Sequence, residues 1–353
     1  MRTNTLLQTL SDAVLPAPVF EFWAGRVNPL WSRQRALARV VARRQEARDT
    51  VTLILQPNRL HDGFMAGQHL NVSVEVNGVL LTRSYSPSIV PGKPGRLAIT
   101  VKRMAGGKVS SWLCEQAQVD SIVELGAAFG EMTLATAPAH ALFLAAGSGI
   151  TPFISLIRAN AAQGMPYPIT LLYWARSEDE LCFVEELEAL AVQWPALKLH
   201  CILTRAAEPG ERINLPQLQR LAPELSQTSL YACGPEGFVA EAGQIASALG
   251  RPFQGEAFTA PVVSWEAGQQ VRVHLARSGK TVSVPAGKPL LSALEDLGLR
   301  PASGCRRGIC NSCACGKQEG ITAHVLTHEL QPEPVPSLRI CINSARSDLT
   351  LDL

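Results

Sequence analysis

The chain has 353 residues, 46% of them hydrophobic and 18% charged, with a formal net charge of +2. That is material for two or three cored domains and excludes a disordered chain. The balanced charge leaves no footprint for nucleic acid, and no apolar run reaches the roughly 18 residues that a membrane span needs.

The chain opens on "MRTNTLLQTLSDAVLPAPVF". This stretch lacks the basic region and unbroken apolar core of a secretory signal, so a cytoplasmic location is expected. Thiols stay reduced there, and nine cysteines then point to metal or redox work rather than to disulfides. Residues 1–35 read as an N-terminal extension. Residues 21–48 hold seven Arg and two Glu, interleaved with aromatic and aliphatic side chains. Two readings follow. The segment is an amphipathic surface that touches a membrane or an acidic partner, giving peripheral membrane association, or it wraps the next domain while its arginines stay solvated.

Residues 36–136 carry a β pattern. "RLAITVKR" alternates with period two through Leu97, Ile99 and Val101. "HLNVSVEVNGVLLTRSYS" predicts two strands joined by an Asn77-Gly78 turn. Short strands at this spacing predict an antiparallel β-barrel. From 137 to 258 the pattern becomes strand–helix alternation. "ALFLAAG", "ITLLYWA", "LKLHCIL" and "SLYACG" read as buried parallel strands, and "DELCFVEELEALAVQ" as a helix between two of them. That predicts an open α/β sheet. Residues 259–269 read as a linker. Residues 270–353 hold two strands ("VRVHLARSG", "KTVSVPA"), a helix ("PLLSALEDLG"), a cysteine loop and a last strand, "DLTLDL".

Cys305, Cys310 and Cys313 are spaced C-x4-C-x2-C, and Cys341 lies 28 positions further on. Zinc modules favour two C-x2-C knuckles, whereas one asymmetric run plus a distant cysteine matches the plant-type [2Fe–2S] pattern. Gly304, Gly308, Ser303, Ser312 and Ala314 let the backbone approach inorganic sulfide, and Arg306 and Arg307 can offset cluster charge. The alternatives are zinc and free thiols. Cys315 fits no ligand position and reads as a packed side chain.

Arg83, Ser84, Tyr85 and Ser86 end a barrel strand, and Gly107, Lys108, Val109 and Ser110 follow. A tyrosine ring offers a stacking face for an isoalloxazine, and an arginine fork suits a pyrophosphate. Gly107 and Ser110 are expected to open a helix whose N–H groups attract phosphate. Next comes "AAGSGITPFISLIR", with Gly147 and Gly149 in a tight turn. Thr151 is expected to cap the following helix and Pro152 to take its first position, facing a dinucleotide. Arg176, Ser177 and Arg205 follow the second and third strands and would suit a 2′-phosphate, which favours NADPH over NADH. Solvated surface arginines are the bland alternative.

Residues 270–353 resemble a plant-type ferredoxin, and residues 36–258 resemble the ferredoxin–NADP reductase family, in particular its bacterial members with a fused ferredoxin. The resemblance implies that Tyr85 packs on the flavin and that Ser86 bonds near its reactive N5. It implies that Arg83, Ser84, Val101, Gly107, Lys108, Val109 and Ser110 hold the flavin, its phosphates and its ribityl chain. It places Cys233, followed by Gly234 and Pro235, beside the nicotinamide C4, and returns Glu256 and Phe258 to the flavin. Many members carry Gly-Pro-x-Gly before the domain boundary, where this chain has "GAAFGEM" (Gly126 to Met132). FAD is the expected flavin, and FMN, used by the phthalate-dioxygenase-reductase branch, is the alternative. "PLWS" at Pro29–Ser32 resembles electron donors of membrane fatty-acid desaturases. The expected function is electron transfer from NAD(P)H through FAD and [2Fe–2S] to a separate acceptor, a di-iron desaturase or hydroxylase first, a Rieske oxygenase or hybrid-cluster protein second. From another class comes a flavin-containing regulatory subunit whose cysteine loop holds zinc.

Overall fold

The computed structural model describes residues 17–134, 138–206, 211–223, 228–258 and 269–353. Residues 1–16 of the extension, and all of the expected linker except its last position, lie outside the described residues. The extension enters as helix α1, Ala17–Val27. Glu21 Oε1 accepts from Ser32 Oγ (3.0 Å) and from the Arg33 N–H (2.8 Å), which folds "PLWS" back on the helix.

The antiparallel block is a seven-stranded barrel sheet, ordered β4-β3-β7-β1-β2-β6-β5. Its strands are β1 Leu37–Ala47, β2 Thr50–Pro57, β3 His69–Val76, β4 Val79–Tyr85, β5 Pro87–Ile89, β6 Leu97–Lys102 and β7 Ile122–Phe129. The β3–β4 turn is built as expected: Asn77 (φ 52°) and Gly78 (φ 73°) are both left-handed, as a tight type I′ hairpin requires. β6 departs from simple alternation. Ala98 and Thr100 are buried as well as Leu97, Ile99 and Val101. The Thr100 hydroxyl is satisfied by the Thr52 hydroxyl at 2.7 Å, so both faces of this strand tolerate burial. Helix α2, Lys108–Ser111, runs on into a wider π turn, Trp112–Gln116.

The parallel sheet is ordered β10-β9-β8-β11-β12. Its strands are β8 Ala141–Ala146, β9 Ile169–Ala175, β10 Leu197–Leu203, β11 Ser229–Gly234 and β12 Phe253–Ala257, with helices α3 Ile150–Ala162, α4 Val184–Gln193, α5 Leu215–Leu221 and α6 Glu236–Ala248. Every residue of β9 is buried, the signature of a strand covered on both faces. Phe143 stacks on Phe153 at 4.7 Å and meets Tyr231 edge-on at 5.6 Å. The expected helix from Asp179 is shorter. Phe183 takes φ 63°, and α4 begins only after it.

The C-terminal block is a five-stranded sheet, β14-β13-β20-β15-β18, beside a small three-stranded one, β17-β16-β19. Its elements are β13 Gln270–Leu275, β14 Lys280–Pro285, α7 Leu290–Asp296, β15 Ala314–Glu319, β16 Thr322–His324, β17 Leu330–Gln331, β18 Val335–Arg339, β19 Asn343–Ala345 and β20 Leu349–Leu351. β13 pairs antiparallel with β14 and parallel with β20, and Leu290 and Leu294 of α7 are buried in the same core as Val273 and Ile340. This is an α+β, β-grasp arrangement. Cys315 lies in that core with its thiol pushed up to about 12 by burial, a packed side chain as expected.

The chain divides into two compact units. One holds the barrel and the body of the parallel sheet; the other comprises Cys233–Glu241 together with Gly255–Leu353. No described helix is long and apolar enough to cross a membrane.

Candidate functional site

On the barrel, Arg83, Ser84 and Tyr85 lie opposite Val72, Asn71 and Leu70 of β3. Side chains alternate across a strand, so Arg83 and Tyr85 share a face. Ser84 Oγ donates to Asn71 Oδ1 at 2.6 Å on the other. Tyr85 packs against the barrel core. Burial first, then nearby Cys114, pushes its phenol well above the ordinary value, against the pull of Arg83. It therefore stays protonated, a ring to stack on rather than an acid. Ser86 is buried directly behind it.

Gly107 is required by space and not by its backbone angle. At φ −78° any residue fits, but a Cβ there would meet Ser110 Oγ at 2.5 Å. Ser110 Oγ donates to Gly107 O and accepts from the Met104 N–H, both at 3.2 Å, closing the turn. Its hydroxyl is thus committed to the backbone. Lys108 is exposed. The Val101 and Val109 side chains belong to the barrel core, so only their backbones are left to meet a ligand. The Val101 carbonyl accepts from the Cys114 thiol at 3.3 Å. Gly126 to Phe129, part of the divergent "GAAFGEM", is the end of β7 rather than a loop, and a Cβ at Gly126 would meet Asn71 Cβ at 3.1 Å.

On the parallel sheet, β8 passes through a 3-10 turn, Gly147–Gly149, straight into α3. Gly147 has φ +55° with open space around it, so its need for glycine is conformational. Thr151 and Pro152 correct the expectation. The cap of α3 is Gly149, with Thr151 and Pro152 in the second and third positions, and Thr151 Oγ1 donates to Ser148 O at 3.0 Å instead of accepting from a helix N–H.

Arg176, half-exposed, is bridged to an acidic residue of its own loop. Its Nη2 and Nε meet Glu180 Oε1 and Oε2 at 2.7 and 3.1 Å. Glu180 further accepts from Arg48 (3.1 Å) and Lys102 (3.0 Å) of the barrel. Burial raises the Glu180 carboxyl, but Lys102 and Arg176 outweigh it and hold it below the usual range. Ser177 Oγ donates to Asp179 Oδ1 at 2.6 Å. Arg205 is exposed, and its N–H donates to Arg176 O at 2.8 Å, so the loops after β9 and β10 run side by side.

Cys233 and Gly234 end β11, and Pro235 follows on the surface. The Phe258 N–H donates to Gly234 O at 3.0 Å. Cys233 is buried, and burial with Glu256 pushes its thiol well above the ordinary value, against Arg307. It is held as a neutral thiol. Burial raises the Glu256 carboxyl to about 7, again opposed by Arg307. Arg307 Nη1 donates to Ala257 O at 2.7 Å. One unit thus gathers Cys233, Gly234, Glu256, Phe258 and a residue of the cysteine loop.

In that loop the thiols form two pairs, Cys305 with Cys310 and Cys313 with Cys341. Cys310 and Cys313 are held below the ordinary thiol value by the hydrogen bond each accepts from its partner. Backbone N–H groups aim at sulfur: Cys305 at Cys310 Sγ (3.2 Å), and Arg307 and Cys310 at Cys305 Sγ (3.3 and 3.4 Å). Gly308 (φ +77°) closes the cradle, where a Cβ would meet Ile342 Cδ1 at 2.1 Å. Among the described residues no three ligand-type side chains converge on a single ion. Two thiol pairs, the first under backbone N–H donors, fit a two-iron cluster better than one zinc. Arg306 grips Glu295 at 2.7 and 2.5 Å and also lies within the field of Cys313 and Cys341.

Sequence reasoning missed Asn71, Cys114 and Glu180, whose partners lie far off in the chain.

Comparison with known proteins finds three domain families in order along the chain. The oxidoreductase FAD-binding domain family matches residues 37–134, the oxidoreductase NAD-binding domain family 143–244, and the 2Fe-2S iron-sulfur cluster binding domain family 273–341. An NADPH oxidoreductase of Mycobacterium tuberculosis (strain ATCC 25618 / H37Rv) is 33% identical over 337 residues, covering 92% of this chain and 86% of its own. A 3-ketosteroid-9-alpha-monooxygenase ferredoxin reductase component of the same species (strain CDC 1551 / Oshkosh) is 32% identical, covering 80% and 84%. The solved structure of phthalate dioxygenase reductase shares the fold, with a TM-score of 0.63 and 24% identity over 91% of this chain and 98% of that one. The chain therefore belongs to the ferredoxin–NADP reductase-like flavoproteins with a C-terminal plant-type [2Fe–2S] domain, NAD(P)H-dependent oxidoreductases that carry electrons through FAD and an iron–sulfur cluster.

Proposed function

We propose that this chain is the reductase component of an oxygen-activating system. Bound FAD would supply the exchange between the two-electron donor NAD(P)H and one-electron delivery, and a [2Fe–2S] cluster would supply the one-electron outlet to a separate acceptor. Arg83–Ser86 and the turn Gly107–Ser110 hold FAD. Gly147–Pro152 and Cys233–Pro235 receive the coenzyme, with Glu256 and Phe258 beside them. Cys305, Cys310, Cys313 and Cys341 hold the iron. The domains run 36–136, 137–258 and 270–353. The observation that carries the reading is the cysteine loop, with two paired thiols under backbone N–H donors.

Two finer readings follow. NADPH is favoured over NADH by Arg205, exposed where the loops after β9 and β10 meet. The acceptor is an oxygenase, since relatives bear the names of monooxygenase reductase components; a di-iron desaturase or hydroxylase is the narrower form, supported by the "PLWS" resemblance. Peripheral membrane contact would use Phe22, Trp23, Val27 and Trp31, exposed on and just after α1. The arginines of that segment speak for the wrapping role instead, because Arg35, Arg39 and Arg48 pair with Glu21, Asp120 and Asp179.

The test is the purified protein. It should contain FAD, two irons and two sulfides per chain, and NADPH added without oxygen should bleach the flavin and cluster bands together. Zinc in place of iron and sulfide would overturn the reading.

A further inference from the structure

Ser155 and Arg158 stand one turn apart on α3, five and eight residues beyond Ile150. They are 1% and 7% exposed. Both reach across to β5 of the barrel. Ser155 Oγ donates to Pro87 O at 2.7 Å. Arg158 Nη1 donates to Ser88 Oγ at 2.7 Å and to Ile89 O at 3.4 Å. The rest of the guanidinium is taken by α4: Nε and Nη2 donate to the two Glu186 oxygens at 2.7 Å each. Its carbon lies 5.3 Å over the Phe183 ring, the residue whose left-handed backbone delays the start of α4.

The elements joined this way are the ones that bear the two cofactor sites. Pro87 directly follows Ser86 at the end of Arg83–Ser86, and α3 continues from the Gly147–Gly149 turn. A helix rises about 1.5 Å per residue, so the two anchors stand ~7.5 and ~12 Å along the axis from its start. Two anchors on a stiff rod fix its advance and its rotation, where one would fix neither. A buried ion pair is a poor source of net stability, but a planar fork bonded along all its edges admits one orientation.

We propose that Ser155 and Arg158 are positioning residues that lock the dinucleotide turn against the flavin strand, setting the rate of hydride transfer and not the affinity for coenzyme. The proposal rests on the assignment of Arg83–Ser86 to flavin and Gly147–Pro152 to coenzyme. In the step concerned, NAD(P)H gives up a hydride, two electrons and one proton, and leaves as NAD(P)+, while FAD takes the hydride and is reduced. Reacting atoms must approach to about 3–3.5 Å, and a 1 Å misplacement costs roughly a hundredfold in rate.

The test uses the full-length holoprotein with Ser155→Ala or Arg158→Lys, and stopped-flow reduction by NADPH or its C4-deuterated form without oxygen. The limiting rate of flavin reduction should fall roughly 3–10-fold for Ser155→Ala and about 10–100-fold for Arg158→Lys, with coenzyme Kd within about twofold of wild type. The long-wavelength charge-transfer absorption with NADP+ should weaken, and amides at Gly147–Ile150 should exchange faster with deuterium in the coenzyme-free protein. Ser155→Ala removes a single hydroxyl and keeps the test open if Arg158→Lys fails to fold. Limiting rates within about twofold of wild type, or a loss explained by Kd alone, would overturn the proposal. Gly147→Ala separates the two levels. It should weaken coenzyme binding while FAD is retained. If it does so and the α3 variants are silent, only the lock falls; if Gly147→Ala leaves Kd unchanged, the coenzyme assignment falls and takes the lock with it.

Discussion

Gly308 carries two demands at once: a left-handed backbone at φ +77° and a Cβ space already filled by Ile342. Its carbonyl also accepts from Arg339 Nη1. Gly308→Ala should therefore cost about 1–3 kcal/mol and loosen the cysteine loop. Iron and sulfide content, with the thermal midpoint of the C-terminal domain, would read it. Glu256 makes a different prediction. Its carboxyl sits at about 7, raised by burial against Arg307, with Cys233 as its other neighbour. A folded-state value above the unfolded one means that the folded chain binds the extra proton between pH ~4.5 and ~7, so stability falls as pH rises through that window and is level above it. Glu256→Gln should flatten the slope and add up to about 3 kcal/mol at pH 8, read from thermal midpoints across pH. At this scale the sequence was legible where chemistry is local. C-x4-C-x2-C shows its ligand pattern in nine residues. It was illegible where a partner decides the role, as with Arg176, whose guanidinium goes to Glu180, or Arg307, which reaches Ala257.

Elements were legible where a period or a turn signal is strong. "ITLLYWA" is β9 residue for residue, because an unbroken apolar run of that length is what a doubly covered strand needs; "LKLHCIL" has the bounds of β10, but as the edge strand it is not the buried strand expected, with Lys198 and Cys201 exposed. Asn77-Gly78 marked its hairpin for the same reason, since few residue pairs accept two left-handed conformations in a row. Gly78 has open space where a Cβ would go, so Gly78→Ala isolates the conformational cost. It should lower stability by about 1 kcal/mol without touching FAD binding, seen as a fall in thermal midpoint with the flavin spectrum intact. Helix starts were less legible. The acidic run before α4 looks helical, but Glu178–Glu180 form only a short 3-10 turn, with Asp179 and Glu180 drawn to Arg48 and Lys102. Phe183 then turns left-handed with its ring buried. Side-chain pairing across domains overrode local propensity there.

Across the molecule, the ties that make one device from separate domains join residues far apart in the chain. Arg158 bonds Ser88, and Arg48 bonds Glu180. No periodicity reports such pairs, and they explain why the order of the domains was readable while their coupling was not. Function at this scale is a division of labour: the flavin accepts a pair of electrons, and the cluster lets them out singly. The two exits can be separated in the intact chain. Cys341 lies far in sequence from its partner Cys313, and its removal takes one ligand from the cluster while substituting none of the residues assigned to flavin or coenzyme. Cys341→Ala should lose the cluster's visible and electron paramagnetic signals. Reduction of a small dye, which can draw on the flavin directly, should stay within about twofold of wild type, whereas reduction of cytochrome c should fall at least roughly tenfold. If cytochrome c reduction were unchanged in a variant shown to lack iron, electrons would be leaving from the flavin, and the C-terminal domain would not be the exit.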